Sequence, residues 1–236
     1  MKQALIFRQL FEHDSSTYTY LLADPETLEG IIIDPVIETL ERDLKMIREL
    51  GIRLKYTVDT HVHADHITAA NKIKEYTQAQ TAIGKHTGVE HADIYLADGE
   101  PLKMGGLELT TLYTPGHTKG CSSYLISGNV FTGDALFVRG CGRTDFQDGS
   151  SKKLYQSVHE KLFKLPDDTF VYPAHDYRGN TVSTIGEEKK FNPRLGDKIS
   201  EDEFIKIMGA LKLANPKKIM EAVPANLLCG NRSNSD

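Results

Sequence analysis

Short apolar runs rich in β-branched and aromatic residues recur along the first two thirds of the chain, separated by glycine, proline and acidic turn residues. Leu5-Ile6-Phe7 and residues 18–22 predict strands; Asp24-Pro25-Glu26 supplies turn chemistry before Gly30 and the run Ile31-Ile32-Ile33, which Asp34-Pro35 ends. The period then changes. Ile37, Leu40, Leu44, Ile47 and Leu50 recur at three- and four-residue steps and predict a helix ended by Gly51, with Glu38/Arg42 and Glu41/Lys45 at i,i+4 spacing. A strand over 54–58 and a helix over 67–76 come next, and 81–100 is weakly patterned, a short strand with loops. Gly105-Gly106 splits 102–113 into hairpin halves, Gly128-Asn129 splits 123–126 from 130–131, and 151–163 and 169–172 predict a helix and a buried strand. Ser200-Glu201-Asp202-Glu203 has the form of a capping box before the apolar face Phe204, Ile207, Met208 and Leu211; Pro216 and Pro224 interrupt the chain beyond that face. Residues 1–230 read as one domain with a short C-terminal extension over about 180–230, and 231–236 as a disordered tail.

Composition narrows the classes. With 39% hydrophobic and 26% charged residues, the chain has the balance of a globular protein that buries a core. A net charge of −5 leaves no basic stripe for nucleic acid, and no apolar run approaches the roughly 20 residues that span a bilayer. Glu12, His13 and Asp14 cut short the apolar start, so no signal peptide is expected. Three widely spaced cysteines (Cys121, Cys141, Cys229) are not a disulfide framework, and the expected compartment is the reducing cytoplasm.

The chemistry concentrates in Thr60-His61-Val62-His63-Ala64-Asp65-His66, directly behind the strand over 54–58. Clustered imidazoles raise each other's cost of protonation, so a dense His/Asp group is easiest to hold around a cation; a solvated polar turn is the bland alternative. Three further candidates share that setting. His117 (Thr114-Pro115-Gly116-His117-Thr118), Asp134 (Phe131-Thr132-Gly133-Asp134) and His175 (Tyr172-Pro173-Ala174-His175-Asp176) each follow a predicted strand. Singly each is a weak signal, and a lone His117 or Asp134 is more often a turn residue than a ligand. Together they describe strand ends gathered on one edge of a layered α/β fold, where loops on a rigid scaffold converge.

Thr-His-x-His-x-Asp-His, Gly-His-Thr, Thr-Gly-Asp and a late His, in that order, resemble the signature of the metallo-β-lactamase superfamily, and the resemblance implies an αββα sandwich of two mixed sheets flanked by helices, with metal at one edge. Gly140-Cys141-Gly142-Arg143 is similar both to glutathione-thioester hydrolases of the glyoxalase II type and to persulfide dioxygenases, the ethylmalonic-encephalopathy-protein-like branch. The wider text resembles the second: His63-Ala64-Asp65-His66-Ile67-Thr68, Arg139 through Gln147, Pro173-Ala174-His175-Asp176-Tyr177, Asn192-Pro193-Arg194-Leu195 and Ala222-Val223-Pro224-Ala225-Asn226.

That resemblance implies an iron-dependent oxidoreductase that oxidises glutathione persulfide with O2 and water to sulfite and glutathione. One Fe(II) per chain would be held by the residues matching His61, His117 and Asp134, two histidines and a carboxylate that leave coordination positions open. His63, Asp65, His66 and His175 are then hydrogen-bond partners around the metal, with Thr132 supporting Asp134. Arg143 and Tyr177 match glutathione-contacting positions of the hydrolase branch, and Arg194 is a further candidate contact. Cys141 is either a redox-sensitive thiol beside the site or a buried structural cysteine. The alternative is a dinuclear zinc hydrolase of glutathione thioesters, with His61, His63 and His117 on one ion, Asp65, His66 and His175 on the other, and Asp134 bridging. Too few residues follow His175 for a fused sulfurtransferase, so a separate rhodanese-like protein or small thiols are expected to supply the sulfur. A homodimer is among the assemblies the resemblance allows.

Overall fold

A computed structural model describes residues 4–231. Two six-stranded sheets carry the chain in nearly sequential order. The first holds β1 (Ile6–Glu12), β2 (Thr17–Ala23), β3 (Glu29–Ile33), β4 (Arg53–Asp59), β5 (Gln80–Gly84) and β6 (Ile94–Leu96); β1 to β3 pair antiparallel, and β3 to β6 parallel. The second runs from β7 (Pro101–Met104) through β8 (Leu107–Tyr113), β9 (Ser122–Ile126), β10 (Asn129–Gly133) and β11 (Phe170–Pro173) to β12 (Ser183–Thr184), with only β10 and β11 parallel. Both sheets are mixed, as the resemblance implies.

Alternation along the strands builds three apolar layers. Tyr20, Leu22, Ile31, Ile33 and Val58 meet Met104, Leu109, Tyr124 and Phe131 between the sheets. Leu21 and Ile32 point outward, against Leu44 and Ile47 of α1 (Leu40–Glu49) and Ile73 of α2 (Ala70–Thr77). The triple isoleucine is therefore buried on both faces, the condition for a continuous apolar strand. Behind the second sheet, Val130 and Val171 pack on Leu154 and Val158 of α3 (Ser151–Glu160), Ile185 of α4 (Ile185–Phe191) and Phe204 of α5 (Glu201–Gly209). Ala222 and Ala225 of α6 (Ile219–Asn226) cover Ile67. Helices thus flank two sheets.

Several local expectations shift. The β9–β10 turn is Ser127-Gly128, one residue earlier than the Gly128-Asn129 signal, because Asn129 pairs with Ile126 and the two turn residues take φ of 49° and 76°. The helix expected from residue 67 starts at Ala70, since Ile67 and Pro35 accept backbone bonds that tie this segment to the chain leaving β3. The weakly patterned 81–100 region holds two strands, and Phe170 in the strand expected to be buried is 40% exposed. Of the i,i+4 pairs, Glu38 meets Lys218 instead and Arg42 turns to the buried Asp43 beside it. Ser200 and Glu203 form the expected capping box, but Pro224 lies inside α6, where the bond it forgoes would run to the exposed Met220. Of the expected tail, only Asn231 falls within the described residues; there it accepts a bond from Asn71 at 2.8 Å. No helix among the described residues is long and apolar enough to cross a membrane.

Candidate metal centre

The ends of β4, β8, β10 and β11 meet at one edge of the sandwich, where backbone bonds cross between the sheets. Ser122 donates to the Thr60 carbonyl (2.9 Å) and Tyr18 to that of Ala174 (2.7 Å), while within the second sheet Ala174 donates to that of Gly133 (3.0 Å). Gly133 takes φ of 53° and sits so close to Thr60 that an added Cβ would lie 2.8 Å from its side chain. The strand carrying Asp134 and the strand carrying His61 can approach this closely only through a glycine.

His61, His117 and Asp134 present ligand atoms that lie within 4.8 Å of one another. Hydrogen bonds set both histidine tautomers. His117 donates Nδ1–H to the Arg143 carbonyl at 2.6 Å, which leaves Nε2, 3.4 Å from Asp134 Oδ2, as the nitrogen that faces the other two residues. Thr60 sends its hydroxyl hydrogen to Asp34 Oδ2 (2.9 Å), and its oxygen therefore accepts Nδ1–H of His61 (2.9 Å), leaving the His61 Nε2 lone pair free. Burial, followed by the neighbouring His63, pushes the His61 imidazole well below its usual range. Burial opposes the Asp134 charge, yet His175 and His117 hold the carboxyl below the usual carboxylate range. Two imidazoles and one carboxylate on one side are a donor set suited to a divalent transition metal.

A second cluster, His63, Asp65, His66 and His175, adjoins the first. His175 lies between Asp134 Oδ1 (2.6 Å from Nδ1) and Asp65 Oδ2 (2.9 Å from Nε2). Burial works against its proton, but the two carboxylates raise it well above the usual imidazole range, and both nitrogens donate. Asp65 also accepts from His66 Nδ1 (3.1 Å), and His63 Nε2 donates to Asp34 Oδ1 (3.1 Å). The other nitrogens, His63 Nδ1 and His66 Nε2, are buried without a hydrogen-bond partner.

The remaining expected residues fall nearby with altered roles. Thr132 donates to the Leu136 carbonyl (2.6 Å), clipping the turn that carries Asp134 rather than touching its carboxylate. Arg143 gives its fork to Asp145, and Arg194 reaches the Cys141 carbonyl at 3.4 Å. Tyr177 is 71% exposed, with its ring parallel to that of His175. All three line a pocket of about 530 Å³ that also includes His61, His117 and Asp134, within the size range of small-molecule sites. Cys141 is buried, its thiol pushed up to about 11 by burial. Two contributors lie outside the residues that the sequence patterns single out as candidates. Asp34 ends β3 just as the other candidates end theirs, so the same signal marks it; Asn226 of α6, which holds the histidine loop, carries none.

Residues 14–175 match the family model described as the metallo-beta-lactamase superfamily. The chain belongs to this superfamily. Among its relatives it is 51% identical over 229 residues to the mitochondrial persulfide dioxygenase ETHE1 of Homo sapiens, covering 96% of this chain and 89% of that one. The crystal structure of ETHE1 from Myxococcus xanthus superposes with a TM-score of 0.93 at 51% identity, covering 96% of this chain and all of that one. Glyoxylase B2 of Dictyostelium discoideum, at 30% identity over 93% of this chain and 89% of its own, is a more distant member.

Proposed function

We propose that this protein is a persulfide dioxygenase, an oxidoreductase that converts glutathione persulfide, O2 and water to glutathione and sulfite. Both atoms of O2 and one oxygen from water end on the outer sulfur. The observation that carries the reading is the facial set His61, His117 and Asp134 in a chain about half identical to persulfide dioxygenases over nearly its whole length. These residues would hold Fe(II), which when bound supplies the electrons and Lewis acidity for activating O2 against a sulfur anion. The chain's own part is positional. Thr60 and the Arg143 carbonyl keep the two imidazoles in the ligating tautomer, and His175 braces Asp134 by a 2.6 Å bond. The pocket admits a tripeptide-sized substrate from the face where Tyr177 and Leu213 are exposed.

The dinuclear hydrolase has one observation in its favour: His63 Nδ1 and His66 Nε2 have no hydrogen-bond partner. Against it, the chain is 51% identical to a persulfide dioxygenase and only 30% identical to the glyoxylase relative. The three free, buried cysteines suit a reducing compartment, and we place the protein in the cytoplasm, with a separate rhodanese-like sulfurtransferase or small thiols delivering the persulfide. Anaerobic purification, metal analysis and an oxygen-electrode trace with fresh glutathione persulfide test the reading. The expected result is about one iron per chain and O2 uptake matched by sulfite. Two zinc-like ions, thioester hydrolysis and no O2 uptake would overturn it.

A further inference from the structure

Five cationic side chains line the pocket: Arg139, Arg143, Arg178, Arg194 and Lys217. Two are committed to internal carboxylates. Arg139 pairs with Glu187 and the fully buried Glu188. Arg143 directs Nε and Nη2 at Asp145 (2.6 and 2.7 Å), lies 4.3 Å over the Phe146 ring, and donates Nη1 to the Ala214 carbonyl (2.7 Å) and Nη2 more weakly to that of Leu213 (3.4 Å). A guanidinium has five N–H donors, and four of these are already directed at partners. Arg143 is therefore poorly placed to grip a substrate carboxylate. What it does hold is the irregular segment after α5, whose residues 213–217 line the pocket and whose far end is pinned by Lys218 to Glu38 (2.5 Å).

The other cations are differently situated. Among the described residues no acidic side chain pairs with Lys217 or Arg178, both of which are exposed, and the Arg194 guanidinium is turned to Cys141, reaching its carbonyl at 3.4 Å. Asp14, on the turn after β1, lines the same pocket. Two unpaired cations and one carboxylate around a mouth complement a peptide thiol bearing two carboxylates and an ammonium.

We propose that the segment 211–217 is a strap that selects the substrate: Arg143 lays it across the mouth as a positioning residue, and Lys217 on the strap and Arg178 after β11 take the two carboxylates of the tripeptide. The inference rests on the reading that the substrate is glutathione persulfide. Three measurements on the full-length, iron-loaded protein test it. In the oxygen electrode, Lys217→Glu should raise KM for glutathione persulfide by roughly tenfold or more, the scale of one charge-assisted hydrogen bond, and should raise it far less for mercaptoethanol persulfide, which has no carboxylate. Binding of S-methylglutathione measured by calorimetry, which needs no turnover, should weaken by a similar factor. Arg143→Ala should raise the same KM and also speed tryptic cleavage after Lys212, because the strap loses its tie. An equal KM change for both persulfides, or no weakening of S-methylglutathione binding, overturns the role of Lys217. A raised KM with unchanged cleavage makes Arg143 a direct carboxylate contact and overturns its role on the strap. If the wild-type protein consumes no O2 with either persulfide, the dioxygenase reading fails, and the calorimetric comparison still decides the strap.

Discussion

Asn226 donates its side-chain amide to the carbonyl of His66 at 2.8 Å, across 160 residues of sequence. The same amide donates to the His63 carbonyl (2.9 Å), and its oxygen accepts the Thr68 backbone N–H (2.9 Å). One buried side chain from the last helix thus satisfies three backbone groups of the histidine loop, which has no strand or helix of its own to satisfy them.

Replacing Asn226 with alanine leaves those three groups buried and unpaired, a loss of about 3 kcal/mol or more in urea unfolding. Asn226→Asp should do no better, because a carboxylate cannot donate to two carbonyls. Metal bound per chain should fall in both variants. An unfolding free energy within about 0.5 kcal/mol of the wild type would refute this account of the loop.

Gly142 bears on the metal residues in two ways: its backbone N–H donates to the Asp134 carbonyl (2.9 Å), and its bare Cα leaves them the space they occupy. A Cβ there would lie 2.6 Å from the Asp134 carbonyl and 2.9 Å from His117 Nδ1. Gly142→Ala should displace both candidate ligands, Asp134 and His117, and weaken metal binding roughly 10- to 100-fold, the usual effect of disturbing a ligand's support. Competitive chelator titration reads this directly, with circular dichroism to show that the fold persists. An unchanged metal affinity would mean that the loop yields without moving the ligands.

How much of the molecule is legible in its sequence depends on whether a feature is local. The sandwich strands are legible because Tyr20, Leu22, Ile31 and Ile33 alternate against Leu21 and Ile32, and His61, His117, Asp134 and His175 because each stands just past such a run. That His61, His117 and Asp134 would act as a set is what the family resemblance implies, since counting ligands admits two metals as readily as one. Asp34 shows the same strand-end pattern, but in front of Pro35 it is equally a strand terminator. The engagement of Arg143 is visible in principle, its partner Asp145 being two residues on. The hold of Asn226 on His63 and His66 is not, because its partners are main-chain carbonyls that no side-chain pattern marks.

Glu188 anchors the C-terminal segment to the loop framing the pocket. Its buried carboxylate accepts from the Arg139 backbone N–H (2.9 Å) and guanidinium, from Ser183 Oγ (2.5 Å) and from Asn192 Nδ2 (2.9 Å). Glu188→Ala leaves Arg139 facing a buried void and should cost about 3–5 kcal/mol, whereas Glu188→Gln, which can still accept, should cost less. Chemical denaturation of the two variants orders them; equal and small losses would show that water replaces the carboxylate freely.

Asp43 supplies a pH dependence remote from the metal residues. It is fully buried in α1; burial raises its carboxyl to about 6, partly offset by Arg42 beside it, against roughly 3.9 in an unfolded chain. Between those values the folded protein binds more protons than the unfolded one, so this residue's contribution to stability falls as pH rises from about 4 to about 6 and stays low above that. A two-unit shift corresponds to at most about 3 kcal/mol. Asp43→Asn cannot ionise and keeps an acceptor for Arg42, so its stability relative to wild type should improve by up to that amount between about pH 4 and pH 7. Urea unfolding of both proteins across the range isolates the residue, since every other titrating group is common to the pair. A difference that does not change with pH would mean that Asp43 ionises as freely in the fold as in the open chain.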